Sequence, residues 1–409
     1  MTKPYKPRLR KFENASGQRH VSDKDRFLYR KKNHTSDFRF NIIGSGTMGQ
    51  EHMFVTVLLG EACIHGIYDT DKLSMQIAKE EYASYASNEL ILYDDLETAC
   101  NDTQVDALII CTPNFTHYEV LKIAIKSEKP IFLEKPMATD VKQALDIFKI
   151  SQEYPTFIQI GLQYRFKSQY REAYYEATER KIIGNIKTIS MSEYRPPFLD
   201  KVKQWNKFSS FSGGTLVEKC CHYFDLISLF SRSNPIKVYA VAGQSVNFLD
   251  FKQNGIRSDI DDNAFVIIEY ENGIRASFTL NMFSPIFQEE LILCGEMGKI
   301  EAYEEYDFKN QDHANAKISI QLGENDYSRS TDVFYSSAVE KSGHHGATYF
   351  EHVEFVNRLN GLDSDSATPK EGLWSIVIAS AAQESISKGS HVMMDEFLNN
   401  YKLSWLLDI

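Results

Sequence analysis

The amino-acid sequence predicts an α/β protein in two parts: a doubly wound parallel sheet, then an open-faced, mainly antiparallel β-sheet domain. Three observations lead there. From Phe38 to about residue 165, short apolar runs alternate with amphipathic segments, the rhythm of parallel strands joined by helices. The first run closes on a glycine-rich turn, IIGSGTMG. Beyond residue 165 the runs become β-branched and aromatic and are linked by turn sequences. A chain of 409 residues also exceeds what one average core fills, so two domains are expected.

The elements follow in order. FRFNIIGSG opens the first strand, CIHGIYD (63–69) is the second, and KLSMQIAKEEYA is the helix after it. VDALIICTP (105–113) is nearly unbroken apolar sequence, as a strand buried on both faces requires. HYEVLKIAIKS is amphipathic at helical spacing. KPIFLEKP (129–136) is a strand, DVKQALDIFKISQEY a helix, and TFIQIGLQYR (156–165) a further strand. In the second part, strands are predicted at 186–195, 236–246, 263–283 and 290–303, with ENG and GEMG as hairpin turns. Helices are predicted over 217–231, 347–360 and 370–388. The polar stretch 306–345 is expected to hold strand and loop.

Composition narrows the function. At 43% hydrophobic and 25% charged residues the chain has the make-up of a soluble globular protein. No run approaches the roughly 18 apolar residues of a membrane span, so no membrane partner is expected. MTKPYKPRLRKF carries no apolar segment behind its basic residues, so a secretory signal is not expected. Six irregularly spaced cysteines without a CxxC pair point to a reducing, cytoplasmic setting. The net charge of −11 is uneven, because residues 1–37 are strongly basic. The remaining body is more acidic still, which argues against a nucleic-acid groove. The basic segment 1–37 reads as an N-terminal extension.

Gly44, Gly46 and Gly49 stand in G-x-G-x-x-G spacing, with Thr47 and Met48 between the last two. The motif follows a strand and opens a helical segment, the context a dinucleotide site needs. The glycines permit a tight turn, close approach of a pyrophosphate and close helix–strand packing, and the helix start offers free N–H groups. Asp69 ends the second strand, where a carboxylate binds the adenosine ribose diol and repels a 2′-phosphate. NAD is therefore favoured over NADP. The alternative role for Asp69 is a helix N-cap.

Taken in register, GSGTMG, CTPNFTH, EKP, IGNI, GGTLVEKCCHYFDL and YFEHVEFVNRLNG resemble the Gfo/Idh/MocA family over roughly residues 38–395. That resemblance implies a Rossmann domain over 38–165 and a substrate and oligomerisation domain over 166–409. It also implies NAD(P)-linked oxidation of sugars and polyols, and a homodimer or homotetramer. It marks Lys135 of EKP as catalytic and places Thr112, Pro113, Asn114 and His117 at the nicotinamide end, with Glu134 beside the lysine or the cofactor. It aligns Gly213–His222 with the pattern GG-x-L-x-D-x-G-x-H. Here Glu218 replaces the usual Asp, and Lys219, Cys220 and Cys221 replace smaller or apolar residues.

Oxidising a carbinol needs a base within reach of the hydroxyl proton. Lys135, at a strand's C-terminal end, fits that role, with burial beside a cationic nicotinamide expected to lower its pKa. On one continuous helix Glu218 and His222 would share a face and orient the hydroxyl. A metal reading of that pair lacks a third ligand, and the two thiols read as packing residues. Further substrate contacts are expected from Tyr164, Arg165, Trp205, Asn206, His344 and His345, and Arg195 in EYRPPF suits an acidic group. The same apparatus also serves two other readings. One is redox-neutral elimination, epimerisation or glycoside cleavage, and the other is a non-catalytic NAD-binding regulator.

Overall fold

The structure is a computed structural model that describes residues 19–20, 38–307, 309, 314–323 and 327–407. The expected basic extension therefore lies, apart from Arg19–His20, outside the described residues. The first sheet has six parallel strands among the described residues. They are β1 (Phe38–Ile43), β2 (Ala62–Tyr68), β3 (Ile91–Leu92), β4 (Ala107–Ile110), β5 (Ile131–Glu134) and β6 (Ile158–Gly161). Their order is β3-β2-β1-β4-β5-β6. It reverses between β1 and β4, where such sheets open a crevice at the strands' C-terminal ends. Every residue of β4, β5 and β6 is buried, which is why their sequences do not alternate.

Helices α1 (Thr47–Leu59), α2 (Lys72–Ala83), α3 (Leu96–Asn101), α4 (His117–Ala124) and α5 (Val141–Glu153) connect them. Asp71, Asp95 and Asp140 accept first-turn amide hydrogens of α2, α3 and α5, the usual stabilisation of a helix start. The cap of α2 is thus Asp71, not Asp69, and Asp69 is released from that alternative.

The second sheet runs Arg19–His20, β14, β13, β12, β11, β7, β10, β9, β8, β15. Its strands are β7 (Ile186–Tyr194), β8 (Pro235–Gly243), β9 (Asn263–Tyr270), β10 (Arg275–Asn281), β11 (Phe287–Gly295), β12 (Gly298–Tyr306), β13 (Asn315–Leu322), β14 (Tyr327–Phe334) and β15 (Val392–Met393). Pairing is antiparallel except at β10–β7 and at Arg19–His20 against β14. The alternation along β9 buries Ala264, Val266 and Ile268 and exposes Phe265 and Ile267. One face is therefore covered by helices and the other is open. Glu193, Glu289 and Glu304 are register partners on β7, β11 and β12. All three are buried.

The helices α6 (Ser168–Tyr174), α7 (Cys221–Ser231), α8 (Ala347–Leu359) and α9 (Pro369–Lys388) complete the frame. α8 packs on α1, and α9 packs on both α5 and α7, so the C-terminal segment returns to the first sheet. Two sequence expectations are corrected. The strand after α5 stops at Gly161, and Gln163–Phe166 forms one tight turn, which lets Arg165 turn into the protein. The helix expected over 217–231 is interrupted. Thr215–Glu218 is a separate turn, and the Cys220 amide reaches back five residues to the Thr215 carbonyl. The segment 306–345 contains β13 and β14.

Arg165 donates from Nε to Asp225 Oδ2 at 2.6 Å and from Nη2 to Asp225 Oδ1 at 2.5 Å, and Nη2 lies 2.7 Å from Glu371 Oε1. Asp225 sits on α7, and Glu371 closes the capping box at the start of α9. Replacing Arg165 by Met strands a buried carboxylate and is expected to cost about 3–5 kcal/mol in urea unfolding. The double change Arg165→Met with Asp225→Leu should recover part of that loss. A single-variant loss below about 1 kcal/mol would show that the clamp is dispensable.

Candidate active site

The glycine loop is shaped for a pyrophosphate. Gly44 has φ +99°, and a Cβ there would lie 2.7 Å from the Cys111 carbonyl carbon. A Cβ on Gly49 would lie 2.0 Å from the Gly44 oxygen, so the first turn of α1 can close on β1 only with glycine. Gly46 is different: it has φ −71° and nothing within 4 Å of a Cβ. It stands open at the N-terminus of α1, which has no side-chain cap. Exposed Thr47 and half-buried Met48 follow, and their first-turn amides are unfilled donors suited to an anion. Asp69 Oδ2 accepts from the Ser45 N–H at 2.8 Å, and Oδ1 accepts from the Asp71 N–H at 2.9 Å. The Asp69 carboxylate is thereby tied to the glycine loop. These residues fit NAD.

Thr112 and Pro113 leave β4 half-buried at the same edge. Asn114 is buried and donates to the Ser212 carbonyl at 3.3 Å. His117, expected at the nicotinamide end, is buried at the exits of β4 and β5, with Nδ1 2.8 Å from the Pro136 carbonyl and Nε2 2.8 Å from the Thr112 carbonyl. It therefore ties the β4 and β5 exits together from behind. Glu134, at the end of β5, takes the Lys135 N–H on Oε2 at 3.0 Å and pairs with His52 through Oε1 at 2.9 Å. The Lys135–Pro136 peptide is cis.

Lys135 and Glu218 come together. Lys135 Nζ donates to the Glu218 backbone carbonyl at 3.1 Å and lies 3.9 Å from Glu218 Oε1. Burial pushes the ammonium down, but Glu218, Cys221 and Glu134 push it up, and the balance is upward. The protein's own groups thus favour the ammonium form of Lys135. The double glycine places this segment. Gly213 and Gly214 have φ +84° and +85°, and a Cβ on Gly213 would lie 2.7 Å from the Thr139 carbonyl. Although the helix is broken at Lys219, His222 stays in the cluster. Its ring stacks on Tyr164 at 4.0 Å between centroids. Burial, then Lys135 and Lys219, drives its pKa well below the ordinary value, so it is a neutral imidazole. Its Nδ1 is buried without a protein hydrogen-bond partner among the described residues. Such a group points to a ligand or catalytic role. Cys220 and Cys221 are buried and unpaired, and burial pushes the Cys221 thiol up to about 12, as befits packing residues.

The remaining expected contacts divide. Tyr164 forms the wall behind His222, and its hydroxyl accepts from Lys219 Nζ at 2.5 Å. Arg165 is consumed by its buried clamp and is not a ligand contact. Trp205 is half-buried and meets Phe115 edge-on at 6.4 Å. Asn206 is buried and donates to the Leu199 carbonyl at 2.9 Å. His344 lies 6.2 Å from the Tyr164 ring and pairs with Glu51 at 2.7 Å. His345 points to Glu304 at 3.8 Å and Tyr306, on the second sheet. Sequence reasoning missed Glu51, His52, His352, Glu193 and Lys201; His352 and Glu193 lie within the quoted stretches YFEHVEFVNRLNG and EYRPPF, but their partners are distant in sequence.

Family models meet this geometry in two stretches. Residues 38–162 match "Oxidoreductase family, NAD-binding Rossmann fold", and residues 176–394 match "Oxidoreductase family, C-terminal alpha/beta domain". The chain belongs to the Gfo/Idh/MocA oxidoreductase family. Among its relatives is an inositol 2-dehydrogenase of Rhizobium meliloti (strain 1021), 23% identical over 357 residues, covering 86% of this chain and 97% of that protein. Another is the uncharacterized oxidoreductase YrbE of Bacillus subtilis (strain 168). It is 27% identical over 239 residues, and the match spans 58% of this chain and 64% of the relative, just under two thirds. The fold is shared with scyllo-inositol dehydrogenase from Lactobacillus casei, solved with NAD(H) and scyllo-inositol. That similarity has a TM-score of 0.68 at 19% identity and covers 88% of this chain and 99% of the other. Levoglucosan dehydrogenase, solved with NADH and levoglucosan, gives 0.72 at 17% identity over 87% and 98%.

Among the described residues, no group of three or more His, Cys, Asp or Glu is placed to hold a metal. No helix there is long and apolar enough to cross a membrane. The second and third glycines of the loop should separate folding from cofactor binding. Gly46→Ala is expected to leave the melting temperature within about 2 °C but to weaken NAD binding at least tenfold, about 1.4 kcal/mol. Gly49→Ala should lower the melting temperature itself. Calorimetric titration with NAD beside thermal unfolding distinguishes the two, and unaltered NAD affinity in Gly46→Ala would contradict the placement of the pyrophosphate.

Proposed function

We propose that this protein is an NAD-dependent dehydrogenase that oxidises a secondary hydroxyl of a sugar, inositol or related polyol. The observation that carries this reading is Lys135 Nζ, held against Glu218 beside the under-bonded His222 at the C-terminal edge of the NAD-binding sheet. Bound NAD supplies the hydride acceptor and a positive ring. A substrate hydroxyl meeting Lys135 passes its proton to the amine, and the neighbouring positive ring favours the neutral amine that can take it. The Glu218 carboxylate keeps the ammonium oriented toward that oxygen. His222, neutral and positioned by its stack on Tyr164, hydrogen-bonds the hydroxyl or its neighbour. The relatives named for inositol and levoglucosan oxidation support the substrate class. The open apolar face of the second sheet, with Phe265, Ile267, Tyr239 and Val241 exposed, supports a homo-oligomer.

The purified protein, incubated with NAD and a panel of inositols, aldoses, uronates and glycosides, should release NADH and a product two hydrogens lighter. Lys135→Met should lower kcat by about 10²–10⁴ while still binding NAD. Product without net NADH would favour redox-neutral chemistry, and full turnover by the variant would refute the role of Lys135. The pH profile gives a second check. The base must be neutral to act, so kcat/KM rises with pH through the Lys135 pKa. Glu218→Gln removes the largest upward influence on that group, so this rising limb should move to lower pH. A shift to higher pH, or none, would show that Glu218 does not set the lysine's charge.

A further inference from the structure

A second histidine beside Tyr164 has a carboxylate behind it. Glu51, one turn into α1, meets His344 Nδ1 with its Oε1 at 2.7 Å, and the same oxygen accepts from the Thr348 hydroxyl at 2.6 Å. Burial pushes the Glu51 carboxyl up, but His344 and Thr348 more than offset it, and its pKa lies below the ordinary value. Glu51 is therefore an ionised acceptor. Nδ1 then carries the hydrogen of the neutral ring, and Nε2 is left as the acceptor. Nε2 makes no hydrogen bond among the described residues, and the side chain is 30% exposed.

The loop is built around this contact. Gly343, His344, His345 and Gly346 have φ of +109°, +42°, +53° and +87°, so two histidines occupy backbone that favours glycine. A Cβ on Gly343 would lie 2.3 Å from Glu51 Cδ. Strain of this kind persists only where the surroundings hold it, and it gathers at functional sites. Tyr164 has the His222 ring at 4.0 Å and the His344 ring at 6.2 Å between centroids. The two imidazoles are thus neighbours across one tyrosine of the candidate site.

The other basic groups nearby are spent. Lys135 leaves the oxidation as an ammonium. His222 is driven well below its ordinary pKa by burial, then by Lys135 and Lys219, which makes it a weak base. His345 is turned to Glu304 and Tyr306, and His117 has a backbone carbonyl at each nitrogen. We propose that Glu51 and His344 form a second acid–base dyad of the cleft, in which His344 Nε2 takes a proton from the carbon next to the carbonyl that oxidation creates. The C–H bond breaks toward nitrogen, its electron pair forms a carbon–carbon double bond, and the carbonyl π pair moves onto oxygen. The Lys135 ammonium stabilises that enolate oxygen, and Glu51 positions His344 and balances the imidazolium. Return of the proton restores the ketone, and no oxidant or reductant is consumed. This rests on the dehydrogenase reading of the same site, which supplies the carbonyl.

The test follows deuterium. The protein is incubated in heavy water with NAD and myo-inositol, D-glucose or methyl α-D-glucoside, and in a separate arm with added 2-keto-myo-inositol. NADH formation is read by absorbance, and carbon-bound deuterium by mass and NMR. Deuterium is expected at the carbon beside the carbonyl. His344→Gln should lower the ratio of deuterium uptake to NADH formation by at least about tenfold, and Glu51→Gln by at least about threefold. Glu51→Gln keeps the shape of the side chain and remains informative if the first variant fails to fold. A merely structural contact would lower both rates together and leave the ratio unmoved. An unmoved ratio in both variants, or NADH formation without deuterium uptake, would overturn the inference. His344-dependent uptake by the added ketone, without NADH formation from any probe, would keep the dyad and refute the dehydrogenase reading. Neither signal from any probe would count against both.

Discussion

The site depends on two neighbouring residues of one tight turn. Tyr164 and Arg165 both face α7, and each takes hold of it at a different level. Arg165 grips Asp225 with two hydrogen bonds and reaches Glu371 at the start of α9. Tyr164 lays its ring on His222, three residues before Asp225. A buried guanidinium between two carboxylates satisfies its fork and balances charge in a place where an unpaired ion is costly. Rotating α7 to move His222 would break that arrangement. The imidazole is thus fixed by an ion pair it does not touch.

A second network fixes the lysine from the cofactor side. α1, whose uncapped start suits phosphates, carries His52. That ring holds Glu134 at 2.9 Å and His352 of α8 at 2.7 Å, and Glu134 in turn holds the Lys135 amide. α1, Lys135 and α8 thus share one buried chain of polar groups. His352 is driven well below its ordinary pKa by burial and then by His52, so it stays a neutral imidazole where charge has no solvent. Gly161 leaves room for this, since a Cβ there would lie 2.9 Å from Glu134 Oε1.

Much of this was legible in the sequence, for reasons that differ by element. The parallel strands announced themselves because burial on both faces favours apolar residues, yet their ends did not. VDALIICTP is nearly unbroken apolar sequence, but only Ala107–Ile110 pair as strand, because Thr112 and Pro113 peel away toward the cleft. The glycine loop, Asp69, Lys135 and the Glu218–His222 segment lie in short local patterns and were readable as such. What stayed hidden is long-range. Nothing near Arg165 signals Asp225, and nothing near His52 signals His352, 300 residues away. The break at Lys219 was also invisible, since residue spacing there is compatible with a continuous helix. It is the buried lysine, drawn to Tyr164 and Glu193, that accompanies the departure.

The row Glu193, Glu289 and Glu304 bears on how the chain assembles. Ionised carboxylates directly opposite one another on adjacent strands repel, so β7, β11 and β12 gain little from meeting as bare ribbons. The cations that reconcile them come from outside the sheet. Lys167 enters just ahead of α6, and Lys219 enters at the break before α7. The middle of the second sheet can therefore lock only once these helical segments have docked, across sequence separations of up to 137 residues. Such non-local closure slows folding. It makes α7 a partner in nucleating the sheet beneath it rather than a later addition to a finished platform.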